Sequence, residues 1–334
     1  MPDNAITVPV SGQDIRVSNP DKIYFPESKK TKLDIVEYYL AVHESIVRAL
    51  LNRPTVLKRF PNGIHEAPFF QKRVSHPPDW LNTVTITFPS GRSAEELCPT
   101  DIAHVIWAVN LGCIDFNPWA VRKADVDHPD ELRVDLDPQP GMPFDGVRLV
   151  AQAVHEVFDE LGMQGFPKTS GNRGMHIYVR IEPKWDFKDV RRAALALGRE
   201  IERRMPQYAT TKWWKEERGE KVFIDYNQNA RDRTVASAYS IRPNADAMVS
   251  CPLEWHEVLD VDPHDLTIDT VPARLKERGD SSSSIDNQAF SLEPLLEWVE
   301  RDEKQGEGDA PWPPNFAKQE GEPPRVQPSR KKKS

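Results

Sequence analysis

Residues 133–141, RVDLDPQPG, constrain this chain more than any other run. Asp135 and Asp137 alternate with Val134 and Leu136, and Pro138 and Pro140 stop the alternation. A period of two belongs to a β-strand, whose successive side chains point to opposite faces. Val134 and Leu136 therefore face a core. The two aspartates share the other face, ~7 Å apart along the backbone. Like charges held side by side repel unless something positive sits between them. A hard divalent cation, Mg²⁺ or Mn²⁺, suits that place because it prefers oxygen ligands. A solvated edge strand would carry the same pair for no chemical reason, so the pair alone leaves both readings open.

A third acid shifts the balance. Residues 222–226 read VFIDY, and Asp225 interrupts an otherwise apolar strand. An unpartnered Asp in such a run is costly to bury. Three strand-borne carboxylates are what a two-metal phosphoryl-transfer site needs, with two ions ~4 Å apart steadying the attacking and leaving oxygens. Between these acids lies TSGNRGMHIY, residues 169–178. Ser170, Gly171 and Gly174 form a small-residue turn whose N–H groups can approach an anion closely. Arg173 adds charge, and His176 starts the following strand. Arg242, in YSIRP, is a candidate clamp for a triphosphate, because guanidinium pairs with phosphate through two hydrogen bonds.

The remainder of the chain reads as a mixed α/β domain. Residues 6–19 form two short strands joined at Ser11 and Gly12. Residues 32–51 have helical periodicity, with Ile35, Tyr38, Tyr39, Val42, Ile46 and Leu50 on one side. Strands are predicted at 55–60, 85–88, 133–137, 175–181 and 222–226. Helices are predicted at 103–111, 146–161, 187–205 and 292–299, with Asp186 capping the third. Residues 280–284, DSSSS, read as a flexible bend. The catalytic domain is placed at 1–300, and 301–334, rich in Pro, Glu and Lys, as a disordered tail.

Composition excludes some classes. The chain has 334 residues, 38% of them hydrophobic and 29% charged, as expected of a globular protein. No apolar run approaches the ~18 residues of a membrane span. The N-terminal residues do not read as a secretory leader. Cys98, Cys113 and Cys251 have no zinc-like spacing and are expected as buried, reduced thiols. These features together predict a cytoplasmic, nucleoid-associated protein. The net charge of −8 argues mildly against a nucleic-acid partner. Local basic clusters at Lys29, Lys30 and Lys32 and at 330–333 temper that argument.

The motifs DLDP, SGNRGMHIY and IDYNQN resemble those of the archaeo-eukaryotic primase superfamily. SNPDKIYFP, LKRFPNG, FFQKR, NQNARDRT and YSIRP narrow the resemblance to the polymerase domains of bacterial end-joining ligases of the ligase D type. With no ligase or nuclease module following, the chain is similar to the stand-alone bacterial primase-polymerases grouped as Prim-PolC. The resemblance implies an α+β primase-polymerase fold, with a central mixed or antiparallel sheet flanked by helices. It implies that Asp135, Asp137 and Asp225 hold two divalent cations (Mn²⁺ or Mg²⁺), and that Asp225 polarises a primer 3′-hydroxyl. It places Ser170, Arg173, His176 and Arg242 on the triphosphate, with Lys58 and Gln228 near the nucleotide. Phe69 and Phe70 would stack on bases. Lys22 and Lys32 would grip the 5′-phosphate of a short gap. Asn117 stands near the sugar where relatives often carry His. The implied activity is gap filling in DNA repair with a preference for ribonucleotides over deoxyribonucleotides. The implied partners are gapped DNA, nucleoside triphosphates and a separate ligase, with a monomer as the expected state. The rivals are a primase that starts chains de novo and a non-catalytic end-binding scaffold for a ligase.

Overall fold

The computed structural model describes residues 4–88, 90–319 and 321–326. The N-terminal part comprises β1 (Ala5–Val10), β2 (Gln13–Ser18), β3 (Ile23–Phe25), β4 (Lys30–Thr31), α1 (Lys32–Ala41) and α2 (His43–Leu50). Next come β5 (Thr55–Arg59), β6 (Phe69–Gln71), β7 (Thr83–Thr87), β8 (Ser93–Leu97), α3 (Ile102–Asn110) and β9 (Cys113–Pro118). Then follow β10 (Glu131–Pro138), α4 (Phe144–Glu160), β11 (Phe166–Thr169), β12 (Met175–Arg180) and α5 (Phe187–Arg204). The chain closes with β13 (Ala209–Thr210), β14 (Val222–Ile224), α6 (Val271–Arg278) and α7 (Glu293–Lys304).

The strands form two five-stranded sheets and two small hairpins, so the single central sheet expected from sequence is joined by a second. One sheet has the order β11-β12-β10-β14-β13, antiparallel except for the β13–β14 pair. In the other, β5 pairs with β9, β6 and β8, and β7 extends the sheet from β8, all antiparallel. Helices α4 and α5 pack on β10. Their apolar stripes, Val147, Val150, Val154 and Phe158 on α4 and Val190, Leu197 and Ile201 on α5, join Val134 and Leu136 in one core. Each such side chain contributes about 1.5–3 kcal/mol when fully buried. That packing fixes the inner face of β10 and leaves its outer face to the acids.

Three expectations need correction. The helix predicted over 32–51 is broken at Val42, whose φ of −107° and ψ of 21° depart from helical values. The apolar stripe survives the break because Tyr38 and Tyr39 are anchored through their hydroxyls to the carbonyls of Tyr239 and Ile114. The bend at 280–284 is pinned: Asp280 accepts from the Tyr239 hydroxyl at 2.8 Å and pairs with Arg48. The tail expected to be disordered from 301 continues α7 to Lys304, and beyond it Trp312 and Glu322 are buried against the domain. Its few apolar residues would not form a core alone, but they complete one already present. The basic cluster at 330–333 lies outside the described residues. Cys98, Cys113 and Cys251 are buried free thiols. Among the described residues no helix is long and apolar enough to cross a membrane.

Candidate active site

Asp135 and Asp137 stand on the outward face of β10, with Val134 and Leu136 buried behind them. Opposite Asp135 in the ladder is His176 on β12, whose Nε2 lies 3.4 Å from Asp135 Oδ1. β14 ends at Ile224, so Asp225 is the first residue beyond that strand. Its backbone N–H donates to the Asp135 carbonyl at 2.9 Å and fastens it beside β10. Its carboxylate caps the single turn Tyr226–Asn229, accepting from the Asn227 N–H at 3.1 Å and from Gln228 Nε2 at 2.8 Å. An Asp that hydrogen-bonds the backbone two residues on favours such a turn over a continuing strand.

The electrostatics follow from this crowding. Burial pushes the Asp135 carboxyl well above its ordinary range, and repulsion from Asp225 and Asp137 adds to the effect. Lys168 and Arg242 offset it only in part. Burial also raises Asp225, opposed by the hydrogen bonds from Gln228 and Asn227. Among the described residues no three acidic, His or Cys groups are gathered into a ready-made metal centre. The donor chemistry still fits a hard divalent cation: three carboxylates, oxygen donors only.

Lys168 was not foreseen. It lies on β11, two residues before Ser170, and is buried. Its Nζ donates to His176 Nδ1 at 2.7 Å, to Ser250 Oγ at 2.6 Å and to the Ala236 carbonyl at 2.9 Å. Burial, then the positive charge of Lys168, holds His176 well below its usual range, so the ring is neutral. Nδ1 faces Lys168, and Nε2 is the ring nitrogen that faces the carboxylates.

The turn between β11 and β12 is built as its glycines require. Ser170 Oγ accepts from the N–H groups of Asn172 at 3.2 Å and Gly174 at 3.1 Å. Gly171 has a φ of +67°, and a Cβ there would meet Arg242 Cγ at 2.3 Å. Arg173 is exposed on this turn.

The second sheet faces these groups through Asp115, another residue not singled out from sequence. It is buried on β9, accepts from Arg242 Nη1 at 2.8 Å and Asn117 Nδ2 at 3.1 Å, and lies 3.9 Å from Lys58 Nζ. The signal was available: an Asp inside the apolar run CIDF has the same oddity that pointed to Asp225. Phe69 and Phe70 on β6 are 44% and 60% exposed, against the core packing that apolar residues ordinarily adopt. Lys58 lies 5.6 Å from the Phe70 ring, and Arg59 lies 4.7 Å from that of Phe69.

Lys22 and Lys32 meet in a separate cluster. Lys32 Nζ donates to the carbonyls of Ser18 at 2.8 Å and Asn110 at 3.1 Å, and Lys22 Nζ to that of Pro61 at 2.5 Å. Burial, then the charge of Lys22, pushes Lys32 down to about 8.

The two sheets and the helices packed on them make an α+β domain. Residues 31–282 match the model of the LigD primase-polymerase domain, and the chain belongs to that family. One relative is the multifunctional non-homologous end joining protein LigD of Mycolicibacterium smegmatis, 30% identical over 278 residues that cover 82% of this chain and 36% of the relative. Another is the bifunctional LigD of Bacillus subtilis, 31% identical over 268 residues, 79% of this chain and 43% of the relative. The chain thus spans less than half the length of these curated relatives. Its structure is similar to the polymerase domain from Mycobacterium tuberculosis ligase D, solved in complex with DNA, with a TM-score of 0.77 and 28% identity over 83% of this chain and 99% of that one.

Proposed function

We propose that this chain is a metal-dependent, DNA-templated nucleotidyltransferase that fills short gaps in end-joining repair, preferring ribonucleotides. The observation that carries the reading is the placement of the acids: Asp135 and Asp137 share the outer face of β10, and the Asp225 N–H donates to the Asp135 carbonyl at 2.9 Å, which holds the third acid beside them. Asp135, Asp137 and Asp225 would hold two divalent cations, Mn²⁺ or Mg²⁺, which when bound stabilise the attacking and leaving oxygens of phosphoryl transfer.

The chain's own residues supply positioning. Asp225, oriented by Asn227 and Gln228, polarises a primer 3′-hydroxyl for attack. His176 donates from Nε2 to a triphosphate oxygen. Arg242 and Lys58, aligned on Asp115, clamp the same group together with the Ser170 hydroxyl and Arg173. Such donors act because they are fixed before the substrate arrives. The exposed rings of Phe69 and Phe70 stack on bases at about 1–3 kcal/mol each, which is sequence-tolerant. Asn117 lies beside the sugar. Lys22 and Lys32 anchor the 5′-phosphate across the gap, and this binding weakens with salt.

The test is primer extension on a labelled DNA with a short, 5′-phosphorylated gap. Ribo- and deoxyribonucleotides are compared with Mn²⁺ or Mg²⁺, beside Asp135→Ala and Asp137→Ala. Templated ribonucleotide addition, lost in both variants, is the expected result. Undiminished extension by either variant sinks the metal assignment. Tight gap binding with no addition under any condition favours the scaffold, and product from unprimed template favours the primase.

A further inference from the structure

Residues beyond α7 lie outside the family match, which ends at residue 282, yet some of them reach the candidate active site. The contact is made by residues 309–312, DAPW. Its focus is Arg191 on α5, whose side chain is fully buried. Arg191 Nη1 donates to Asp309 Oδ1 at 2.7 Å, and Nη2 donates to the carbonyls of Ala310 at 2.8 Å and Pro311 at 3.0 Å. The Trp312 ring covers the guanidinium at 4.1 Å, and its indole N–H donates to Asp309 Oδ2 at 2.7 Å. On its inner side Arg191 Nε donates to Asn227 Oδ1 at 2.6 Å, and Asn227 Nδ2 donates back to the Pro311 carbonyl at 3.1 Å. Asn227 sits in the turn capped by Asp225, and its N–H donates to Asp225 Oδ1.

The strap is clipped at its far end. Glu322 accepts from the Trp312 N–H at 2.8 Å and pairs with Arg325 at 2.6 Å, while the Arg325 carbonyl accepts from the Trp213 indole at 3.0 Å. Glu322 and Arg325 therefore set the conformation of the strap, and Trp213 ties it to the domain.

A buried guanidinium must have its N–H groups satisfied. Without residues 309–312, Arg191 would keep only Asn227 among these partners and would turn toward water, taking Asn227 with it. The turn that aims Asp225 would then lose its outer support. We infer that this C-terminal strap is a positioning element for Asp225, acting through Arg191 and Asn227. The inference rests on the metal-binding reading of Asp225 given above.

The test uses the full chain and Mn²⁺ alone, with no nucleotide or DNA, followed by electron paramagnetic resonance. The variants are the double substitution Asp309→Ala with Trp312→Ala, and separately Asn227→Ala, which cuts the link while leaving the strap its own contacts with Arg191. Binding of 5′-phosphorylated gapped DNA in chelator serves as a control that does not involve the acids. Both variants are expected to bind Mn²⁺ about tenfold or more weakly, the range for removing a group that orients a metal ligand, with gap binding unchanged. Their extension activity should recover partly at high Mn²⁺. If Asn227→Ala binds Mn²⁺ as tightly as the parent, the inference is overturned, whether or not the double variant folds. If the parent itself neither binds Mn²⁺ nor extends a primer, it is the metal reading that fails. If the parent does both and the variants match it, only the strap inference fails.

Discussion

Gly174→Ala tests how strictly the turn before β12 sets the acids. Gly174 precedes the strand whose Met175 pairs with Leu136, the residue between the two aspartates of β10. A Cβ at position 174 would sit 2.4 Å from the Leu136 carbonyl oxygen. A close carbon–oxygen contact between strands is about 3.3 Å, so one backbone must give way by about 0.9 Å. Neither neighbour is a flexible side-chain end: one is the β10 backbone and the other the tight turn. Overpacking of this kind costs about 1–3 kcal/mol of stability. A displacement near 1 Å in a phosphoryl-transfer site costs on the order of 10²-fold in rate. The assay pairs urea denaturation with single-turnover primer extension, using Gly162→Ala as the comparison. Gly162, unlike Gly174, has a positive φ, +64°, but a Cβ there meets nothing within 4 Å. Both variants should lose stability, whereas only Gly174→Ala should lose about 10²-fold in extension. Extension by folded Gly174→Ala within twofold of the parent would refute the reasoning.

Two further predictions follow from the buried charges. Asp115→Asn leaves Arg242 and Lys58 without their shared acid and should cost ~3–5 kcal/mol in urea denaturation, together with a raised KM for nucleotide; an unchanged midpoint would count against Asp115 as the anchor of those two cations. Lys32 has its pKa depressed from 10.5 to about 8, so at intermediate pH the unfolded chain binds more protons than the folded one. Stability therefore rises with pH from about 8 toward 10.5. Affinity for a 5′-phosphorylated gap should move the opposite way, falling above pH ~8 as Lys32 loses its proton, while Lys32→Arg should stay flat; parent affinity that is level to pH ~9.5 would separate Lys32 from the phosphate.

Much of the local geometry of the candidate site was legible in the linear chain because its signals are local. The alternation around Asp135 and Asp137 specifies a strand with one charged and one apolar face, and β10 has that arrangement. The glycine turn, the capping Asp186 and the hairpin at Ser11 and Gly12 are likewise short-range features, set by backbone sterics and neighbouring hydrogen bonds. Asp225 was legible as an anomaly in an apolar run, although the hydrogen bond it accepts from the Asn227 N–H ends the strand two residues earlier than the pattern suggests.

What the sequence by itself determined was therefore which residues are unusual where they stand. Only the tertiary structure decided what they meet. Asp115 joins Arg242 and Lys58 across long stretches of chain, and no local pattern encodes a partner at that distance. Lys168 lies two residues from a motif that was read, but its meaning depends on the β11–β12 pairing that sets it against His176. The tail is the plainest case: residues 305–326 are too polar to form a core alone, which is why composition marks them as disordered. Residues 309–312 pack on the domain because α5 offers a buried arginine that takes the carbonyls of Ala310 and Pro311, and that partner is in place only once the domain has folded.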